Sequence, residues 1–232
     1  MTMAPKSPEP VMMRRPEVLL LAVTAVLFLF YYFGRADTVG VGAMGRGWTP
    51  MTGPALPAPL HYALSVGLLG LIPLFLAWKL SGGTLHQLGL GLGDWRRGLL
   101  VLAAGLPLAV LAGWIASRDP AMRGVYPLDE ALARSRFPAY AGLQLLYIGA
   151  WEVLFRGVLL FGLRGRWGDG GANALQTSLS VVAHFGRAVS ETFSALPAGF
   201  VFGWVGLRVG SIWYVTLVHW VVGVSMEWFI LF

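Results

Sequence analysis

Tyr147-Ile148-Gly149-Ala150-Trp151-Glu152-Val153-Leu154-Phe155-Arg156-Gly157 is an apolar run that carries one carboxylate and one guanidinium, four residues apart. At helical spacing Glu152 and Arg156 share a face one turn apart, where they can pair. Two more polar side chains have similar surroundings. His184 ends Leu179-Ser180-Val181-Val182-Ala183-His184, and His219 follows Ile212-Trp213-Tyr214-Val215-Thr216-Leu217-Val218. If these runs cross a membrane, each polar group loses water. A charge at bilayer depth costs roughly 2.5–3.5 kcal/mol on insertion scales, so such groups face a protein interior and mark function there. One Glu and two His that meet inside a bundle suffice for general acid–base chemistry or for metal ligation.

Composition places the whole chain in a membrane. Hydrophobic residues make up 56% and charged residues 12%, against roughly 45–50% and 25% in soluble domains. The 31 glycines suit close helix approach and the 10 tryptophans suit the membrane interface. With about 20 residues per span, 232 residues accommodate six or seven spans. The predicted fold is all-α, a polytopic transmembrane bundle of about seven spans. The net charge of +6 is scattered over short loops, as juxtamembrane charge is, and this argues against nucleic acid as a partner. The absence of cysteine excludes disulfides, thiolate chemistry and Cys-bound metal.

Residues 1–16 are rich in Pro and Met and read as a disordered tail. Spans are predicted near 17–33, 60–80, 97–116, 138–163, 172–190, 195–208 and 211–231. The first is read as a retained span, not a cleaved signal, because it is long and ends in aromatics. The loop 34–59 is broken by Pro50, Pro54, Pro57 and Pro59. Leu88-Gly89-Leu90-Gly91-Leu92-Gly93 reads as a short interfacial piece, and 127–135 as a surface helix. A basic turn, Leu207-Arg208-Val209-Gly210-Ser211, joins the last two spans. With a cytoplasmic N-terminus, nine Lys/Arg fall on that side and seven on the other, a small positive-inside bias that Arg14 and Arg15 support. This orients the chain as an integral protein of the cell (inner) membrane. The chain divides into the tail 1–16, N-terminal helices and loops over 17–137, and a C-terminal helical segment over 138–232 that holds Glu152, His184 and His219. His61, His86 and Glu227 read as interfacial, and Trp95, Trp114, Trp167, Trp204, Trp213 and Trp228 as an aromatic belt.

Trp151-Glu152-Val153-Leu154-Phe155-Arg156-Gly157, Ser180-Val181-Val182-Ala183-His184, and Gly203-Trp204-Val205-Gly206-Leu207-Arg208-Val209-Gly210-Ser211 followed by His219 occur in that order. Together they resemble the CAAX-protease and bacteriocin-processing (CPBP) family of intramembrane endopeptidases over 138–232. That family's pattern is Glu-Glu-x-x-x-Arg, Phe-x-x-x-His, and an arginine-turn-glycine-serine segment before His-x-x-x-Asn. The resemblance implies a helical bundle with its site inside the membrane and a membrane-tethered peptide or protein as substrate in the lipid bilayer. Glu152, Arg156, His184 and His219 carry over. The family's first Glu is Trp151 here, its Phe is Ser180, and its Asn is Gly223.

A neighbouring helix position points about 100° away, so Glu152 does not simply replace the missing Glu. The segment His184-Phe185-Gly186-Arg187-Ala188-Val189-Ser190-Glu191 resembles a branch in which Glu191 supplies that carboxylate. On one helix, His184, Arg187 and Glu191 would share a face. The implied mechanism has Glu152 or Glu191 with His184 activating water, while His219 and Arg156 stabilise the oxyanion. It needs no cofactor. A zinc variant would use Glu152, His184 and His219 as ligands. A competing reading, from Trp151, Ser180 and Gly223, is a non-proteolytic scaffold or immunity partner that keeps the bundle.

Overall fold

The computed structural model describes residues 8–31, 58–82 and 85–232, and every regular element among them is helical. They are α1 (Pro16–Leu29), α2 (Pro59–Ser81), α3 (Trp95–Ala116), α4 (Pro120–Arg123), α5 (Glu130–Ser135), α6 (Phe137–Ala183), α7 (Val189–Val209) and α8 (Trp213–Leu231). Five of these, α2, α3, α6, α7 and α8, are long and apolar enough to cross a bilayer, and α1 is a shorter apolar helix. The protein is an integral membrane protein.

The 47 residues of α6 cover two expected spans. Gly168 breaks it, with φ 68° and ψ 169°, a conformation only glycine adopts at no steric cost. The expected loop between 163 and 172 is therefore helical on both sides of one glycine. Arg164 Nε pairs with Asp169 Oδ1 across that break at 3.0 Å. With α6 split there, the seven expected spans all find a helical segment. The end of the first expected span and most of the loop 34–59 fall on residues 32–57, which lie outside those described.

The expected boundary at 190–195 is wrong. The first long span ends at Ala183, and α7 already begins at Val189. Gly186 turns the chain between them with φ 85°. Part of the expected tail also departs from prediction. Residues 8–15 are described, and Val11 and Met13 are buried there. Val11 packs its carbonyl over Gly165 so closely that a Cβ would collide with it. Residues 1–7 lie outside those described.

Burial ranks the helices. α3 has the highest mean hydropathy of the spans, 2.3, yet only 11% of that window is buried, whereas 78% of the α6 window is. α3 thus faces lipid, and α6 is the central post around which α1, α2, α7 and α8 pack. α3 reaches the bundle through α8, which it meets in parallel. Gly98 lies against the Tyr214 ring, Gly105 against Val218, and Gly113 against Ser225 and the backbone of Met226 and Val222. Small residues let two backbones come this close where water supplies no drive for association. α6 and α7 are tied by amides: Asn173 donates to the Phe200 carbonyl at 3.0 Å, and Gln176 to the Gly199 carbonyl at 3.0 Å.

The glycine alternation at 88–93 folds as a 3-10 turn (Leu85–Leu88) and a bend, and its purpose is docking. Asp94 N–H donates to the Val209 carbonyl at 2.7 Å, and Ile212 N–H to the Gly89 carbonyl at 3.0 Å. The two loops thereby interlock, and the turn 207–211 is held from outside. The expected surface helix at 127–135 is present as α5, N-capped by Asp129 onto Leu132 N–H at 2.9 Å. All six tryptophans of the expected belt are exposed. His61 and Glu227, expected at the interface, are instead buried. His61 sits among the rings of Phe30, Tyr62 and Tyr147, and Glu227 lies beside the buried Tyr140. Packing against α1 and α6 removes both from the membrane surface.

Two predictions follow from these contacts. Gly93 has φ 59° and would drive a Cβ into the Val209 carbonyl, and Gly113 faces backbone that cannot yield. Gly93→Ala and Gly113→Leu are expected to destabilise by roughly 1–3 kcal/mol each. Gly142→Ala, with open space around it, is expected to melt like wild type in detergent. The second concerns the loop over α7. Asp119 accepts from the Ser190 hydroxyl and from Ala121 N–H at 2.8 Å. These hold its carboxyl below the ordinary value of 3.8, the Ser190 bond contributing most. A depressed pKa means the tie is present at neutral pH and lost as pH falls through the lowered value. Limited proteolysis between 118 and 136 is expected to be flat from about pH 8 to 5 and to rise only below about pH 4.

Candidate active site

Glu152 occupies the last regular α-helical position before a wide π-helical stretch, Val153–Phe161. π-Turns inside α-helices are rare and concentrate at functional sites. The widened turn still lets Arg156 reach back one turn. Its Nη1 donates to Glu152 Oε1 at 3.1 Å. His219 on α8 brings Nδ1 to the same oxygen at 2.7 Å. Glu152 is 0% and Arg156 2% exposed, whereas the His219 side chain is 26% exposed. The expected pairing of Glu152 with Arg156 is therefore present, and a histidine 67 residues away joins it.

A carboxylate only accepts, so the His219 proton sits on Nδ1. In the neutral ring Nε2 then keeps its lone pair. Glu152 Oε1 is engaged by both donors, and Oε2 is sealed from solvent with no hydrogen-bond partner among the described residues. Desolvating two opposite charges is costly, and only tight mutual pairing offsets it. Phe202 of α7 lines this pair, its ring 5.7 Å from both the Arg156 guanidinium carbon and the His219 ring centroid.

His184 caps the end of the second α6 arm, the one beyond Gly168. Its Nδ1 lies 2.6 Å from the Ser180 carbonyl. A carbonyl cannot donate, so this ring too carries its proton on Nδ1 and leaves Nε2 as acceptor. Edge-on against it is Trp151, with ring centroids 5.0 Å apart at 75°. The indole N–H has no partner in the protein. The adjacent residues Trp151 and Glu152 thus meet one histidine each, as helical rotation of about 100° requires.

Glu191 does not share a helix face with His184, because Gly186 ends that helix and Glu191 opens α7. Its two carboxylate oxygens accept from the Tyr126 hydroxyl at 3.0 and 3.2 Å. Arg187 Nη1 donates to the same hydroxyl at 2.5 Å. The link to His184 runs through backbone: the Thr192 hydroxyl donates to the His184 carbonyl at 3.0 Å. Glu152, Arg156 and His219 are brought together directly, while Glu191 is held in a cluster of its own.

Among the described residues no three His, Cys, Asp or Glu side chains group so as to hold a metal ion. Glu152 already binds two donors through Oε1, and Trp151 lies against His184.

Sequence reasoning missed Gln144 and the burial of Glu227. Gln144 lies on α6 two turns before Glu152, 7% exposed, its Oε1 without a partner in the protein. The signal was its place as a carboxamide in the apolar run Gly142-Leu143-Gln144-Leu145-Leu146. An apolar pocket of about 400 Å3 lies between α2, α6 and α8, lined by Gly70, Leu74, Gly149, Val153, Trp213 and Thr216 among others. Val153 follows Glu152 directly, and Thr216 precedes His219 by one turn.

The buried carboxylate–guanidinium pair with its imidazole and the second imidazole of His184 gather polar side chains inside the bundle. Residues 136–225 match the model of the Rce1-like family, described as type II CAAX prenyl endopeptidase Rce1-like. The matched segment, which is less than half of the chain, holds Glu152, Arg156, His184, Glu191 and His219. No curated protein and no solved structure matches the chain.

The buried pair predicts a stability signature. Arg156→Met leaves Glu152 uncompensated and is expected to cost about 3–5 kcal/mol. Glu152→Leu combined with Arg156→Met is expected to recover most of that loss, as read by melting in detergent. An additive double variant would count against a mutually dependent pair.

Proposed function

We propose that the protein is an intramembrane endopeptidase of the CAAX-protease-like type that hydrolyses a peptide bond in a membrane-associated substrate. The observation that carries this reading is the 2.7 Å contact between His219 Nδ1 and the buried Glu152 carboxylate. A carboxylate that fixes one ring nitrogen leaves the other oriented as a base, the arrangement used by hydrolases of unrelated folds. His219 Nε2 takes a proton from water, and the water oxygen attacks the substrate carbonyl carbon. Glu152 steadies the imidazolium that forms, and Arg156 balances the charge of Glu152. His219 then returns that proton to the leaving amine as the carbon–nitrogen bond breaks, and His184, whose Nε2 is an acceptor, holds the attacking water. This moves the direct base from a glutamate to His219, because Glu152 Oε1 is occupied and Oε2 sealed.

Under the same reading Glu191 positions the 184–188 turn through Tyr126 and Arg187. The cavity of about 400 Å3 receives an apolar or lipid-bearing part of the substrate. The orientation proposed is a cytoplasmic N-terminus in the cell (inner) membrane, supported by Arg14 and Arg15 before α1.

A second reading has one specific observation in its favour. Trp151 fills the position of the family's first glutamate and packs on His184. A chain that had exchanged catalysis for packing would look like this, with Glu152–Arg156 as a structural pair and the protein acting as a membrane scaffold or partner.

Cleavage of membrane-tethered peptides by the purified protein in bilayers separates the two. Wild type is expected to cleave, with His219→Ala and Glu152→Gln reduced roughly 10^2-fold or more and His184→Ala strongly reduced. Glu191→Gln is expected to keep most activity; its complete loss would restore Glu191 as the acid. If the histidine variants keep the protein's cellular role while no peptide is cleaved, the scaffold reading stands instead.

A further inference from the structure

α6 and α8 pack antiparallel, and their seam carries polar groups at successive turns. Glu152 meets His219 at one level. One turn further along α8, Gly223 faces Gln144. Trp220, next to His219 on α8, reaches past Gln144 along α6, its indole N–H donating to the Ala141 carbonyl at 2.9 Å. An unpaired buried carbonyl costs about 1–3 kcal/mol. Two glutamines of α6 carry one, Gln144 and Gln176, each with an Oε1 that has no hydrogen-bond partner among the described residues and no access to solvent. Gln176 is tied through its amide nitrogen to Asn173, Thr177 and the Gly199 carbonyl, whereas Gln144 stands on the seam with α8, the helix that carries His219.

Gly223 explains why Gln144 fits. A Cβ built there would stand 3.4 Å from Gln144 Nε2 and 3.7 Å from both Cδ and Oε1. The carboxamide occupies the space that a side chain at 223 would otherwise fill. Position 223 is four residues after His219, about 6 Å along the axis on the same face. Gln144 therefore delivers a carboxamide from α6 to a point one turn from the His219 ring.

We infer that Gln144 is a substrate-contacting residue of the site, binding the backbone of the substrate peptide beside the bond attacked at His219. A primary carboxamide offers one acceptor and two donors, which is the complement of a peptide group. Oε1 accepts a substrate N–H, and Nε2 donates to a substrate carbonyl. The unsatisfied carbonyl becomes satisfied only when substrate is present, so its cost is borne by the free protein and returned on binding. This rests on the hydrolase reading above.

Cleavage of membrane-tethered peptides in bilayers, together with melting of each variant, tests it. Gln144→Leu is expected to lower kcat/KM by roughly tenfold or more, the worth of one buried hydrogen bond, while melting at or above wild type. A merely structural Gln144 would lower both together. The decisive variant moves the carboxamide across the seam. Gln144→Ala with Gly223→Asn is expected to regain most of the activity that Gln144→Ala alone loses, because removing the glutamine opens the space an asparagine at 223 needs. Wild-type cleavage with a fully active Gln144→Leu overturns this inference and leaves the hydrolase reading standing. Failure of the double variant to regain activity while it melts like wild type also overturns it. Absence of cleavage in wild type overturns both.

Discussion

Desolvation of one carboxylate organises this bundle. Glu152 is sealed inside α6, and nothing in lipid can solvate it. Arg156 and His219 do so instead, both through Oε1 at hydrogen-bond distance. Because Arg156 comes from the next turn and His219 from α8, satisfying Glu152 fixes the register of α6 against α8. Phe202 from α7 closes the remaining side. Three helices are therefore specified by one charge, which is how a buried polar group confers uniqueness when apolar contacts with lipid and with protein are nearly equivalent.

The rest of the fold protects that arrangement. α3, the most apolar span, contributes little core but braces α8 through Gly98, Gly105 and Gly113. The 207–211 turn would be a free loop in isolation. Backbone bonds from Asp94 and Ile212 lock it to the 88–93 bend, and so hold the start of the helix that carries His219. On the other side of the bundle, the 184–188 turn is held by Thr192, and Tyr126 bridges Glu191 and Arg187. The imidazoles of His184 and His219 thus sit on elements fixed from outside the site, as a preorganised site requires.

The chain departs from the pattern of the family it resembles in ways that the packing makes mutually consistent. Trp151 replaces an acid and rests edge-on against His184. Gly223 replaces an amide side chain, and Gln144 fills the vacated space from the opposite helix. Glu191 is spent on Tyr126. What these replacements leave at the centre is an imidazole held by a buried carboxylate, His219 on Glu152.

From the sequence alone, the all-α membrane class, the approximate spans and the Glu152–Arg156 pair were legible. Hydropathy runs and i,i+4 spacing are local properties that survive in any folded context. The tryptophan belt and the α5 surface helix were legible for the same reason. What only the tertiary structure decided were contacts between distant segments. Which ring meets Glu152, which meets Trp151, and that Gln144 faces Gly223 depend on how helices are rotated and shifted against one another. The end of the helix at Ala183 depended on Gly186 taking a left-handed turn, which removed Glu191 from the face of His184. The burial of His61 and Glu227 followed from neighbours on α1 and α6 that no local pattern names. Hydropathy fixes what enters the membrane, and the pairing of polar groups without water fixes how the helices face once inside.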